Sequence, residues 1–442
     1  MRNSHDVGAA ASTAGSEELR ARHAQVMPAW LTLYYDEPIE LVRGEGTRVW
    51  DSAGREYLDF FAGILTTISG HAVPELTQVL HGQADRLNHT SSAYLIRPMI
   101  ELAERMAELA PIDPPVKAFF TPSGSEAIDA ALLFVTTLRQ SNEVVALRNS
   151  YHGRSFAAMS ITGQRGWSAS SLSPFQVSYT PEPYCFRCPF GLKYPSCDVA
   201  CAEDLRNVLE TTTSGRPAAL IAEPIQGVGG IVTPPPEYFK IVKSILDDFE
   251  VPLISDEVQT GFGRTGDSFW GIEGYGVRPD AIVVAKGLGN GLAIGGVVAK
   301  AELVDSLRAN HISTFGGSPL TSSYAAANVD FIVDNDLQGN ARRIGRLLWD
   351  GLKPLEERTA IVGELRGKGL MLGIELVDPA DGRTPNAAAA ATVMERARER
   401  GLLIGKGGRY GNVLRVTPPL TVSEDDAGRA IEILTAVIGE QQ

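Results

Sequence analysis

The chain has 442 residues, 44% hydrophobic and 21% charged, with a formal net charge of −13. That length exceeds one simple core, so two domains, or a large domain with a smaller companion, are expected. The acidic balance argues against a nucleic-acid partner, because phosphate backbones need basic surface, yet it leaves room for a small anion in a local pocket. No apolar stretch approaches the roughly 18–20 residues of a membrane span, so no membrane partner is expected.

Residues 1–16 are polar and Ala/Ser-rich, without the apolar segment of a secretory signal. They read as a disordered leader, with structure beginning near Glu17 and a cytoplasmic location. Val42–Phe61 alternates apolar residues about the turn Asp51-Ser52-Ala53-Gly54, which predicts a β-hairpin. Apolar residues at 99, 100, 102, 103, 106 and 109 predict a helix. Strands are then predicted over Val116–Thr121 and Glu143–Leu147, with a helix over Ser125–Leu138 between them. Another strand is expected at Ala218–Ala222, a helix at Pro236–Phe249, and strands at Val251–Ser255 and Ala281–Ala285. This alternation is the signature of an α/β protein built on a mostly parallel sheet with covering helices.

From about Asp336 the character changes. A long helix is predicted over Leu337–Arg358, and strands over Ile361–Arg366 and Leu370–Leu376 around Gly367-Lys368-Gly369. A helix over Ala387–Arg400, short strands at Leu402–Gly405 and Val413–Val416, and a last helix over Glu424–Gly439 complete a small α+β unit. The N-terminal hairpin is expected to join it. The expected division is therefore residues 17–75 and 336–442 in the small domain and 76–335 in the large one.

Cys185, Cys188, Cys197 and Cys201 are the only cysteines, spaced C-x2-C, eight residues, C-x3-C. Clustered thiols in a cytosolic chain suggest a metal knot or redox pair, and four thiolates suit tetrahedral zinc. The alternative is a Pro- and aromatic-rich loop whose thiols pack as small apolar groups.

The chemistry concentrates at strand ends. Val251–Ser255 runs into Asp256 and Glu257, and Ala281–Ala285 runs into Lys286. Carboxyl ends of parallel strands are where such folds place their sites. A lysine closing an apolar run is costly if buried unless it is neutralised or used covalently, as in a Schiff base. Desolvation would make it nucleophilic, whereas most lysines lie on the surface. A carboxylate such as Asp256 can hold the ring nitrogen of pyridoxal phosphate (PLP) protonated, or simply form a salt bridge. Ser123-Gly124-Ser125 lies between a strand and a helix, as a phosphate cradle does and as an ordinary N-cap does. Tyr151-His152-Gly153 follows the next strand, where an aromatic lies against a planar ligand or merely packs. Gly287 and Gly289 do not continue into a dinucleotide fingerprint, because Leu292 stands where the third glycine belongs.

In order along the chain stand S-G-S-E-A (123–127), Y-H-G (151–153), A-E-P-I-Q-G (222–227), S-D-E-V-Q-T-G-F-G-R-T-G (255–266), A-K-G-L-G-N-G (285–291), S-T-F-G-G (313–317), G-E-L-R-G-K-G-L-M (363–371) and R-V-T-P-P-L (415–420). With these blocks the chain resembles the class III PLP-dependent aminotransferases from about Trp30 to its end. D-F-F-A-G-I (59–64) and E-P-I-Q-G-V (223–228) bring it near the alanine–glyoxylate aminotransferase 2-like subgroup. The resemblance implies a fold type I PLP-dependent transferase, a homodimer with shared sites. It implies Lys286 as the covalent lysine and proton shuttle and Asp256 as the partner of the ring nitrogen. Ser123, Gly124 and Ser125 would hold the phosphate, Tyr151 would stack on the ring, Gln259 would touch the ring hydroxyl, and Glu223 would line the site. Thr314 would reach the phosphate of the neighbouring subunit, and Arg415 would bind the substrate carboxylate.

Two positions depart from the pattern. Val228 stands where ornithine-type members carry a glutamate that masks the arginine, which favours substrates that always present a carboxylate. Ser318 replaces the asparagine of F-G-G-N-P. The implied reaction is ping-pong transfer of an amino group from an amine or amino acid to pyruvate, glyoxylate or 2-oxoglutarate. The alternatives are a PLP-dependent phospho-lyase acting on a phosphorylated amino alcohol and a non-catalytic PLP-binding protein.

Overall fold

The structure, a computed structural model, describes residues 9–441, with side chains from Glu17 onward. The first half of the expected leader lies outside the described residues. The rest of it departs from expectation, because a helix runs over Ala9–Val26, starting at three consecutive alanines with high helix propensity.

The expected hairpin is a three-strand meander of β1 (Leu41–Glu45), β2 (Arg48–Asp51) and β3 (Glu56–Asp59). The extra reversal falls at Gly46, whose φ of 56° lies in the left-handed region. The central sheet comprises β4 (Val116–Thr121), β5 (Glu143–Leu147), β6 (Gln176–Thr180), β7 (Ala219–Ala222), β8 (Leu253–Asp256), β9 (Ala281–Val284) and β10 (Gly295–Lys300). Its order is β4-β10-β9-β8-β7-β5-β6, parallel throughout except for β10, which runs antiparallel to both neighbours. β10 escapes prediction because its two leading glycines hide a strand of only six residues.

Strands β7, β8 and β9 are buried from end to end, which is why they read as continuous apolar runs rather than alternating ones. The alternation survives in three dimensions. Val145, Leu220, Leu253 and Ile282 face the layer containing Leu205, Tyr238 and Val242. Val144, Ile221, Ile254 and Val283 face the helix Gly124–Arg139 through Ile128, Leu132 and Val135.

A second four-stranded sheet holds β11 (Val362–Lys368), β12 (Met371–Leu376), β14 (Gly405–Gly407) and β15 (Val413–Val416), in the order β11-β12-β15-β14. The stretch expected as one strand over 402–405 divides, because β13 (Leu402–Leu403) instead pairs parallel with β3, Leu402 opposite Leu58. The long helix expected over 337–358 is two, Leu337–Leu352 and Leu355–Arg358, interrupted at Pro354, which has no N–H to continue the ladder. Ser318, at the position that departs from the family pattern, caps helix Pro319–Asp334 by accepting from the Thr321 N–H.

A buried charge cluster joins β11 and β12 to the loops of the central sheet. The Arg366 guanidinium donates to Glu364 and Glu375 at 2.6 Å each and to the Gly230 carbonyl at 2.7 Å. Arg187, in the cysteine-bearing loop, donates to the same Glu375 at 2.6 Å, and Tyr184 also bonds it. With every charge paired, the cluster pins the loop that follows Glu223.

Candidate active site

The carboxyl ends of β5, β7, β8 and β9 open onto one cavity of about 150 Å³. It is lined by Ser123, Gly124, Ser125, Tyr151, His152, Gly153, Glu223, Asp256, Val258, Gln259, Ala285 and Lys286. Segments more than 160 residues apart in the chain thus meet where the strand ends place them.

Asp256 is the last residue of β8, and its neighbour Glu257 turns to the opposite side, as period-2 geometry requires. Glu257 accepts from the Gly271 and Ile272 N–H groups at 2.8 Å each and from the Ser255 and Thr260 hydroxyls. It is a structural anchor, and burial pushes its carboxyl up to about 7. Asp256 faces the cavity. One oxygen lies 2.7 Å from His152 Nδ1, and the other accepts from the Val258 N–H at 3.2 Å. His152 was legible only as part of an aromatic-glycine motif. Nothing in its local sequence says that it meets an acid 104 residues away. Its Nε2 is buried and has no partner among the described residues.

Lys286 closes the opposite wall. It follows β9 with φ of 42°, a left-handed conformation that costs a non-glycine residue about 1–2 kcal/mol. Lys286 has no ion pair among the described residues, and burial, reinforced by the nearby Arg415 cation, lowers its pKa to about 8. Asp256 and Glu223 oppose that shift without cancelling it.

Helix Gly124–Arg139 points its N-terminus at the cavity. The Ser123 hydroxyl caps it, accepting from the Glu126 N–H at 3.2 Å. The first-turn N–H groups of Gly124 and Ser125 have no carbonyl partner within the helix and carry its positive dipole end. The Ser125 hydroxyl accepts from the Arg154 N–H at 3.0 Å. Gly153, at φ of 137°, comes so close that a Cβ there would lie 2.5 Å from Ser125 Oγ. Tyr151 forms the next wall, edge-on to Trp167 at 5.3 Å between ring centroids. Glu223 fixes two loops at once, accepting from the Tyr151 N–H at 3.0 Å and the Gly227 N–H at 2.9 Å. Burial raises its carboxyl pKa.

Gln259 and Arg415 meet behind the cavity, where the Arg415 guanidinium donates to Gln259 Oε1 at 2.7 Å. The glutamate absent at Val228 is thus replaced by a neutral partner from another loop. Thr314 is exposed and is not among the residues lining the cavity.

The zinc expectation is not supported. The four cysteines are free thiols around one small separate cavity. Among the described residues, no group of three or more His, Cys, Asp or Glu is arranged to hold a metal ion. Cys201 instead packs against the apolar core, and burial pushes its thiol up to about 12.

A parallel sheet with a buried lysine, an acid across the cavity and a helix N-terminus beside them defines a fold type I PLP-dependent enzyme. The residues fit that cofactor. The cavity brings together first-turn N–H groups that suit a phosphate, an acid that suits a pyridine nitrogen, and an amine of lowered pKa that suits an aldehyde. The chain belongs to the aminotransferase class-III family, which it matches over residues 34–438. It is 38% identical over 418 residues to an alanine–glyoxylate aminotransferase 2 homolog, labelled mitochondrial, from Arabidopsis thaliana, covering 94% of this chain and 86% of that one. It is also 38% identical over 429 residues to a leucine/methionine racemase from Thermococcus litoralis, covering 96% of each. Among solved structures, a Bacillus anthracis aminotransferase superposes with a TM-score of 0.89 at 30% identity, covering 97% of this chain and 99% of that one. The protein is accordingly an aminotransferase, and no helix among the described residues is long and apolar enough to cross a membrane.

Proposed function

We propose that the enzyme moves an amino group from an amino acid or other carboxylate-bearing amine to pyruvate, glyoxylate or 2-oxoglutarate, in two half-reactions at one site. The observation that carries this reading is the lysine of lowered pKa close to Arg415, a buried arginine with no acidic partner among the described residues. PLP supplies the electron sink when bound. Lys286 would hold the cofactor covalently, and its freed Nζ would carry the proton from the donor Cα to the cofactor's C4′. Asp256, oriented by His152, would keep the ring nitrogen protonated. Gly124 and Ser125 would receive the phosphate, with Ser123 shaping the turn through its cap. Tyr151 would lie against the ring and Gln259 would reach the ring hydroxyl, while Glu223 holds the Tyr151 loop and the loop at Gly227. Arg415 binds the carboxylate through its planar fork.

Thr314 completes the phosphate site of a second subunit in this reading. Its exposure supports that role, as do the exposed apolar side chains of Ile312 and Phe315 beside it and of Tyr94 and Leu95. Light scattering should then report a dimer. The large domain at 76–335 and the small one at 17–75 and 336–442 are part of the same proposal, as is a cytoplasmic location.

The racemase relative raises a second reading. Inverting a stereocentre requires a proton delivered to the Cα face opposite Lys286. The cavity's acids are already engaged, Asp256 by His152 and Glu223 by two backbone N–H groups, so transfer is favoured. A donor–acceptor panel tests the choice. The donor amino acid alone should yield its 2-oxo acid and pyridoxamine phosphate, adding pyruvate should then yield alanine and restore PLP, and Lys286→Ala should lose the absorbance band of lysine-bound cofactor. Inversion without an acceptor would point to the racemase, and phosphate released from a phospho-amine would point to the phospho-lyase.

A further inference from the structure

We infer that Asn328 is a positioning residue for Lys286, its amide gripping the backbone just after the lysine so that the side chain is aimed into the cavity. This rests on the reading of Lys286 as the proton carrier and names the group that holds it there. Lys286 (φ 42°) and Asn290 (φ 40°) are both left-handed, so the loop between β9 and β10 carries strain at two points. Such residues persist only where their surroundings over-determine the backbone. Asn328 supplies that constraint from helix Pro319–Asp334. It is fully buried, and its Nδ2 donates to the Gly287 carbonyl at 2.8 Å and to the Leu288 carbonyl at 3.2 Å. Its Oδ1 accepts from the Ser69 hydroxyl at 2.7 Å. Two carbonyls on one side and a hydroxyl on the other permit a single amide orientation, and they use both of its hydrogens.

The clamp is continuous. Ser69 also donates its N–H to Asn290 Oδ1 at 2.9 Å, and Asn290 Nδ2 returns to the Gly70 carbonyl at 3.1 Å. The Leu420 N–H reaches the Ile68 carbonyl at 2.7 Å, so the backbone that continues from Arg415 is tied to the same segment. Gly287 leaves the loop no slack, because a Cβ there would lie 3.0 Å from Ile68 Cδ1 and 3.2 Å from Phe262. Residues 68–70 thus set the lysine loop and the strand that carries Arg415 in one register. Asn328 is not among the residues lining the cavity, so its effect passes through Lys286. An apolar residue of similar size would leave two buried carbonyls without this donor and let the left-handed turn relax. Nζ would then be displaced from the Cα proton, and proton transfer is sensitive to displacements of about 1 Å.

The test uses the PLP-loaded enzyme and its Asn328→Leu and Ser69→Ala variants, the second keeping the amide but loosening its orientation. One measurement is the pH midpoint of the absorbance band of lysine-bound cofactor. The others are single-turnover formation of pyridoxamine phosphate from the fastest amino acid of the donor panel, and the isotope effect when that donor carries deuterium at Cα. Asn328→Leu is expected to keep its cofactor, because Ser123, Gly124 and Ser125 lie on another segment, but to shift the band midpoint by about half a pH unit or more. Its single-turnover rate should fall about tenfold or more with a larger isotope effect, while the donor concentration for half-maximal rate stays within about twofold. Ser69→Ala should show the same changes at smaller size. A parent-like midpoint and isotope effect in Asn328→Leu overturn the inference. So does a rate loss accounted for by lost cofactor, since packing alone would give that. If Asn328→Leu does not fold, Ser69→Ala decides, and parent-like values there overturn the inference. A shifted midpoint in an enzyme that converts no donor would instead overturn the transfer reading and leave the clamp standing.

Discussion

Replacing Lys286 by methionine in the cofactor-free protein isolates what burial of this amine does to the fold. Desolvation beside Arg415 brings its pKa from 10.5 to about 8. Each tenfold change in protonation is worth about 1.4 kcal/mol, so the fold disfavours the ammonium by about 3 kcal/mol relative to the unfolded chain. Below about pH 8 the lysine is charged in both states and the penalty is complete. Between about 8 and 10.5 the folded chain has released the proton while the unfolded chain still holds it, so stability rises with pH. Above that window the lysine is neutral in both states and the penalty vanishes. Methionine is of similar length and uncharged. Lys286→Met should therefore be more stable by about 3 kcal/mol at pH 7, with an advantage that fades toward pH 10.5. For 442 residues at roughly 2 cal/mol/K each, the gain is about 3 °C in Tm. Differential scanning calorimetry of both cofactor-free proteins at pH 7, 8, 9 and 10 reads it. An equal or lower Tm for the variant at pH 7, or a difference that does not narrow with pH, would refute the reasoning.

Arg415→Ala should raise KM for carboxylate donors by about 10–100-fold, the scale of a lost hydrogen bond to a charged group, and an unchanged KM removes the arginine from substrate binding. His152→Asn should keep the fold and the cofactor but lower kcat by about tenfold and move the absorbance maximum of the bound cofactor, because Asp256 loses its 2.7 Å partner. A spectrum identical to the parent's would limit His152 to packing. Elemental analysis of purified protein should find zinc well below one per chain, and a stoichiometry near one would restore the cysteine knot.

Much of this site was legible because its elements are local. Asp256 and Lys286 stood out as charges closing apolar runs, and the runs were unbroken because β8 and β9 are covered on both faces. The glycines and serines at 123–125 and 153 announced close backbone approach in the same way. The thiols misled for a complementary reason. Spacing can match a ligand set, but it does not say that Cys201 turns into the core on the helix Ala200–Thr212.

The sequence by itself therefore determined the α/β alternation, the strand ends that carry charge, and the family those blocks mark. Only the tertiary structure decided that Glu257 turns away from the site, that His152 backs Asp256, that β10 inserts antiparallel, and that Gln259 rather than a glutamate meets Arg415 across 156 residues of chain. Periodicity and strand-end charge are properties of a few neighbouring residues, and these survive in one dimension. A hydrogen bond between distant loops depends on the order in which strands enter the sheet, and that order follows from the packing of the whole chain.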